Sequence, residues 1–311
     1  MKIRIAEYCG FCYGVKRAVD MAYKLAEANE ASGTLGPLIH NPQLIEDLNT
    51  KGVPCRESLD EFQAGETVVF RSHGVGPDVY EAAHAKNLTI LDATCPNVKA
   101  AQKKGQALAE AGYLPVIIGE KNHPEVKSIV QWAGKHAIVI ECIKDIGNVP
   151  LVDKYGVLIQ TTFELAKFEE ILAALQKERS GEYKTICLAT SQRQKAALKL
   201  ADEVDAFVVI GGRNSANTRH LYELVAEHCK RAYHIETASE LNEEMFKNCQ
   251  NIGITAGAST PDRIIKEAIR VMENMESFES MLEQSLEDAH VYPGKIVKAT
   301  VIQIGKDEVY V

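Results

Sequence analysis

Three cysteines stand in a repeated context. Cys12 and Cys95 share the pattern Cys-x-x-Val-Lys-x-Ala, over Cys12–Ala18 and Cys95–Ala101. Each follows a short β-like run and precedes a helix-like stretch. Cys187 likewise ends a β-like run ahead of a helical stretch that begins near Ser191. A helix N-terminus carries partial positive charge and lowers a thiol's pKa, so thiolate is favoured at all three places. If the strand ends meet, three thiolates converge. Structural zinc usually takes four protein ligands, and a purely electron-transferring cluster normally takes four cysteines. Three therefore suit a cubic [4Fe–4S] cluster with one iron left open for substrate. A single cysteine in such a place is ordinarily a small buried apolar residue, and only the repetition favours ligands. Cys9 and Cys12 also form a C-x-x-C pair, which can mark a thioredoxin-like redox centre or half a metal site. No second such pair accompanies it, and Cys55, Cys142, Cys229 and Cys249 stand in no comparable context.

Three histidines recur in equivalent loops. His40, His73 and His123 each come just after a β-like run and just before a helix that opens near a proline, Pro42, Pro77 and Pro124. Imidazoles beside helix N-termini make an anion site suited to phosphate oxygens. His84, His136, His220, His228 and His234 lack the pattern and are expected to be structural or surface residues. Later loops, Gln160–Thr162, Asn214–Thr218 and Thr255–Pro261, are rich in hydroxyls, amides and glycine. Such loops serve phosphate, although plain helix capping selects the same residues. Glu125 is the one acid embedded in a histidine loop and can deliver protons; a first-turn helix glutamate is its ordinary alternative.

These residues need a frame. Short β-rich runs alternate with helical stretches: strands over 3–6, 67–71, 89–92, 114–118, 137–140, 156–160, 184–187, 206–210 and 251–255, with helices between. That alternation predicts parallel sheets flanked by helices, with ligands at the carboxyl ends of the strands. The 311 residues suffice for two domains or three small ones. We expect an α/β fold of three modules, 1–94 with Cys12, 95–186 with Cys95 and 187–275 with Cys187, in pseudo-threefold arrangement. The 46% hydrophobic and 25% charged content excludes a largely disordered chain. A net charge of −8 argues against a grip on nucleic acid by residues 1–275. No apolar run approaches a membrane span, no signal peptide is apparent, and eight cysteines are too sparse for a disulfide scaffold, so a cytoplasmic setting is expected.

Taken together the motifs resemble one family. Gly10–Ala18, Ile39–Pro42, Ser72–Gly74, Asp92–Pro96, His123–Glu125, Gln160–Thr162, Ile186–Thr190, Asn214–Asn217 and Thr255–Ser259 are similar, in order, to the 4-hydroxy-3-methylbut-2-enyl diphosphate reductases. The likeness runs from about residue 1 to about 275. It implies three α/β domains around a central [4Fe–4S] cluster on Cys12, Cys95 and Cys187. It implies a substrate diphosphate held by His40, His73, His123, Ser215, Asn217 and Ser259, with Thr161 and Glu125 as a proton-relay pair at the hydroxymethyl end. The implied reaction is a two-electron reductive dehydroxylation of an allylic diphosphate to isopentenyl and dimethylallyl diphosphate, the last step of the methylerythritol phosphate pathway. Ferredoxin or flavodoxin is the implied electron donor. Ala216 stands where some relatives carry a second serine, and Cys9 falls where no family ligand is expected.

The tail differs in kind. Residues 276–290 hold five acids and no Lys or Arg, as in a solvated linker (276–292) or short helix. Residues 293–311 alternate around Gly305–Glu308 and predict a hairpin. The pattern resembles the opening of an OB-fold RNA-binding repeat of the ribosomal S-one type, expected in a longer fusion, or else a hairpin packed on the reductase. Two strands of a five-stranded barrel bury no core, so RNA binding is expected only of a longer chain. Two other function classes remain open on sequence: a ribosome-associated RNA-binding protein with a non-catalytic scaffold, and an iron-free C-x-x-C thiol oxidoreductase.

Overall fold

The computed structural model describes residues 1–176, 188–289, 303–304 and 309–310. The expected strand 184–187, and Cys187 with it, lies outside the described residues. Two compact units are present, Met1–Ala268 and Ile269–Val311.

The first unit holds three parallel sheets. One is built from β2 (Ser32–Leu35), β3 (Cys55–Arg56), β4 (Thr67–Phe70) and β5 (Thr89–Asp92), in the order β3-β2-β4-β5. The next uses β6 (Leu114–Ile118), β7 (Ile138–Ile140) and β8 (Tyr155–Ile159), in the order β7-β6-β8. The last uses β9 (Ala206–Ile210), β10 (Ala232–Ile235) and β11 (Asn251–Ala256), with β1 (Lys2–Ile5) on its edge, in the order β1-β11-β9-β10. Every strand of β4, β8 and β9 is buried throughout, as expected of parallel strands covered on both faces.

All three sheets share one topology. The first strand sits inside, the second pairs on one side of it, and the third on the other. Each sheet therefore has a switch point, between β2 and β4, β6 and β8, and β9 and β11. In open parallel sheets the crevice at the carboxyl end of a switch point is where ligands bind.

The sequence grouped β1 with residues up to 94. It pairs instead with β11, Lys2 opposite Asn251 through Ile5 opposite Ile254. Cys12 thus follows the edge strand of the last sheet, and Cys95 follows β5 of the first. Strands β2, β3 and β10 escaped the sequence reading. β2 is only Ser-Gly-Thr-Leu, with no apolar alternation to mark it, yet it is central and buried.

Helices cover the sheets: α1 (Tyr13–Ala28), α2 (Pro42–Thr50), α3 (Pro77–Ala85), α4 (Pro96–Glu110), α5 (Pro124–Ala133), α6 (Leu165–Gln176), α7 (Leu188–Ala201) and α8 (Ala216–His228). Proline opens α2 to α5, where its missing N–H is no loss. α9 (Asp262–Ala289) carries the acidic stretch as helix, and the boundary between the units falls within it. In the second unit Gln303–Ile304 pairs antiparallel with Val309–Tyr310, as the predicted hairpin requires. Among the described residues no helix is long and apolar enough to cross a membrane.

Candidate active site

The loops at the three switch points interlock. After β2 and β4, Ser72 donates through both its N–H and its hydroxyl to the Leu38 carbonyl, at 3.1 and 3.0 Å. The Cys95 N–H donates to the Ser72 carbonyl at 2.9 Å, which ties the Cys95 loop to the same knot. Ser128 of α5 donates to the His73 carbonyl at 3.0 Å, joining the first sheet's loops to the second's. A Cβ on Gly212, after β9, would lie 2.8 Å from the His40 carbonyl oxygen, so the last sheet's loop reaches the first.

This knot gathers the predicted histidines. The ring centroids of His40 and His73 are 4.4 Å apart, those of His73 and His123 5.5 Å, and those of His40 and His123 5.9 Å. Burial pushes the imidazole pKa of His123 down to about 4, that of His73 well below its usual value, and that of His40 down as well. All three are neutral near pH 7. His123 Nδ1 accepts from the Glu125 N–H at 3.2 Å, so its proton sits on Nε2. Among the described residues His40 Nε2 and His73 Nδ1 are buried without a partner. Asn217, 4% exposed, leaves both the nitrogen and the oxygen of its carboxamide unpaired. Buried polar atoms are normally satisfied, so these orphans mark a place for a polar ligand. Ser215 caps α8 through the Thr218 N–H at 3.4 Å, and Ser259 donates to Ser215 Oγ at 3.3 Å.

Three imidazoles with nitrogens within 4.8 Å could also hold a cation. Their electrostatic neighbours decide against it. The Arg71 guanidinium acts on His40 and His73, and Arg219 acts on His123. Glu120 is the acid that faces this group, and it is already bound to Arg219 at 2.7 Å and to His220 at 3.2 Å.

Glu125 lies beside the triad, 1% exposed, in the first turn of α5. Thr161 donates to it twice, from its N–H to Oε1 at 2.6 Å and from its hydroxyl to Oε2 at 2.7 Å. Burial raises the carboxyl pKa to about 7 against the pull of those two bonds. A carboxyl titrating near 7 is poised to give or take a proton. Sequence reasoning named this pair but missed what braces it. The Glu120 N–H donates to Gln160 Oε1 at 2.8 Å, and Gln160 donates to Thr162 Oγ1 at 2.8 Å. His220 joins the Thr162 carbonyl at 3.0 Å to the Glu120 carboxylate. The two hydrogen bonds from His220 and Arg219 hold Glu120 down to about 2. His220 was expected to be structural or on the surface; it is structural, and its place directly after the Asn214–Thr218 loop was the available signal.

Cys12 and Cys95 are the N-caps of α1 and α4, as their repeated context predicts. A side chain at Gly14 would collide with Cys95 Sγ, so the glycine lets the first turn of α1 press onto that thiol. Arg17 holds the approach, donating to the Thr94 and Asp92 carbonyls at 3.2 and 3.3 Å. The Cys12 N–H donates to the Ala258 carbonyl at 3.2 Å, which sets it beside the Ser259 loop. Neither thiol is in a disulfide, and thiolate donors at helix N-termini fit an iron–sulfur cluster. The thiol of Cys9 is pushed up to about 11 by burial, which speaks against a reactive C-x-x-C pair.

Comparison with known proteins gives the chain its family. The 4-hydroxy-3-methylbut-2-enyl diphosphate reductase of Aquifex aeolicus is 46% identical over 272 residues, 85% of this chain and 93% of that one. The protein of the same name from Citrifermentans bemidjiense is 44% identical over 272 residues, 86% of this chain and 96% of its own. A solved structure of (E)-4-hydroxy-3-methyl-but-2-enyl diphosphate reductase, the terminal enzyme of the non-mevalonate pathway, is 43% identical. It aligns with a TM-score of 0.68 over 88% of this chain and 99% of that chain. The Plasmodium falciparum E-1-hydroxy-2-methyl-but-2-enyl-4-diphosphate reductase, 25% identical, aligns with a TM-score of 0.82 over 87% of both chains. The sequence profile described as LytB protein matches residues 3–273, and the chain belongs to that family.

Proposed function

We propose that this protein is an iron–sulfur reductase that converts (E)-4-hydroxy-3-methylbut-2-enyl diphosphate to isopentenyl and dimethylallyl diphosphate, closing the methylerythritol phosphate pathway. The observation that carries this reading is the buried Glu125–Thr161 pair, titrating near 7, next to three neutral imidazoles, two of which, His40 and His73, have an unpaired nitrogen among the described residues. The reaction consumes two electrons and two protons. One proton leaves with the allylic hydroxyl as water, and the other ends on carbon.

His40, His73 and His123, with Ser215, Asn217 and Ser259, bind the diphosphate. Neutral imidazoles donate N–H bonds to its oxygens without the cost of three buried charges, and the bound anion then favours their protonation. Anchoring at this remote group holds the reacting end in place. Glu125 in its protonated form passes a proton through the Thr161 hydroxyl to the leaving oxygen, and burial keeps bulk water from competing. When bound by Cys12, Cys95 and Cys187, a [4Fe–4S] cluster supplies the electrons and an open coordination position. Ferredoxin or flavodoxin is the donor we assign, in the cytoplasm.

The test is anaerobic turnover of the iron-loaded protein with dithionite, with both products quantified. Glu125→Gln should bind substrate with near wild-type affinity and lose at least a hundredfold in kcat. Near wild-type turnover by that variant under saturating reductant would remove Glu125 from the mechanism. An iron-free protein active as a thiol reductase would overturn the whole assignment.

A further inference from the structure

The first sheet's switch point opens on a second side. The loops after β2 and β4 carry His40 and His73, but Gly36 and Arg71 of the same loops, with Ser58, Val75, Lys127 and Gln131, line a separate cleft of about 460 Å³. None of the three histidines lines it. Its volume lies in the range of small-ligand pockets, and its place at the carboxyl ends of β2 and β4 is where such sheets take ligands.

Arg71 is what makes this cleft unusual. Among the described residues its guanidinium forms no ion pair, and its Nε is buried without a hydrogen-bond partner. A partly buried arginine normally finds a carboxylate or carbonyl, because an unpaired charge out of water is costly. Gly36 makes room for it: a Cβ there would lie 3.0 Å from Arg71 Nη1, and the glycine takes φ +68°. Lys127 adds a second cation from α5, and the Ser58 and Gln131 side chains add polar groups. Glu57, also on the rim, is the one acid there; it favours the Arg71 charge from a distance without closing a salt bridge on it among the described residues. A guanidinium fork kept open beside an ammonium is the chemistry that receives a phosphate group.

We propose that this cleft is a second anion site, taking a phosphate or diphosphate group separately from the histidine pocket. It requires nothing of the reductase assignment and stands or falls apart from it.

The chain's single tryptophan provides the probe. Trp132 follows Gln131 and donates to the carbonyl of Val75, also in the cleft wall, at 2.9 Å. The iron-loaded protein is titrated with inorganic pyrophosphate, and separately with inorganic phosphate, while Trp132 fluorescence is followed. Arg71→Gln should weaken the Trp132-reported affinity at least tenfold. Lys127→Gln, an exposed position that threatens no folding, should weaken it severalfold. Asn217→Ala, in the other pocket, should leave it within twofold. Weaker binding of phosphate than of pyrophosphate would assign the site to diphosphates, and equal binding to a single phosphate group. Wild-type affinity in both Arg71→Gln and Lys127→Gln, or loss of the signal in Asn217→Ala, would overturn the proposal.

Discussion

Thr161→Val isolates one bond in the proposed proton relay. The substitution keeps the branched shape and the backbone N–H bond to Glu125 at 2.6 Å, and removes the hydroxyl bond at 2.7 Å. A hydrogen bond to a charged group is worth about 1.5–3 kcal/mol, and each pKa unit corresponds to about 1.36 kcal/mol. Losing a bond that favours the carboxylate therefore raises the Glu125 midpoint from about 7 to roughly 8–9. In the proposed relay the proton donor is the protonated acid. Wild-type kcat should thus fall as pH rises through about 7, while the variant's falling limb moves upward by one to two units, roughly, and its plateau drops because the hydroxyl is gone. The carboxyl stretch followed by infrared difference spectroscopy, with Glu125→Gln to assign the band, reads the midpoint directly. The same burial has a thermodynamic sign. The folded carboxyl titrates near 7 against 4.5 for an ordinary glutamate, so it costs stability as pH rises through that window, by up to about 3 kcal/mol above it. Glu125→Gln should consequently gain stability relative to wild type between pH 5 and 8 in denaturant melts. A midpoint that stays or moves down in Thr161→Val would refute the relay's electrostatics.

Three further outcomes are expected. Gly14→Ala drives a methyl into Cys95 Sγ and should lower bound iron well below the wild-type content, measured as iron per chain after anaerobic loading. Pyrophosphate binding at the histidine pocket should tighten from pH 8 to 6 with proton uptake, because the imidazole pKa values are depressed in the empty site and rise when an anion arrives; calorimetry in two buffers of different ionisation enthalpy counts the protons. Glu120→Gln should destabilise the protein near neutrality, and the gap from wild type should close as pH falls from about 4.5 towards about 2, since a depressed carboxyl pKa stabilises only above that window. Melting temperatures across that range decide it.

The histidine triad, Glu125 and Thr161 were legible because their chemistry is printed in local context: a polar residue between a β-like run and a proline-opened helix. The buried strands β4, β8 and β9 were legible from their clustered apolar, largely β-branched residues. What stayed hidden depends on partners far away in sequence. β1 reads as a strand, but nothing in its four residues says that β11 is its neighbour. β2, no shorter than β4, is too polar to announce itself, although it pairs with β3 on one side and β4 on the other. Arg71 and Glu120 differ in what faces them: among the described residues the one forms no salt bridge, and the other is held by Arg219 and His220 of a helix a hundred residues on. Sequence spacing carries no information of that kind, because ion pairing is settled by packing.

The pairing of β1 with β11 sets an order on how the molecule is made. The strand β1 has its hydrogen-bonding partner far along the chain, at Asn251–Ala256 of the last sheet. At synthesis rates of about 5–20 residues per second, that wait lasts roughly 10–50 s. Until then β1 is a solvent-exposed ribbon, and the Cys12 loop that follows it has no fixed place. The sheet of β2 to β5 can fold and present Cys95 long before that. The Cys12 loop is therefore placed late, and the growing chain holds an organised Cys95 thiol well before the Cys12 thiol is anchored.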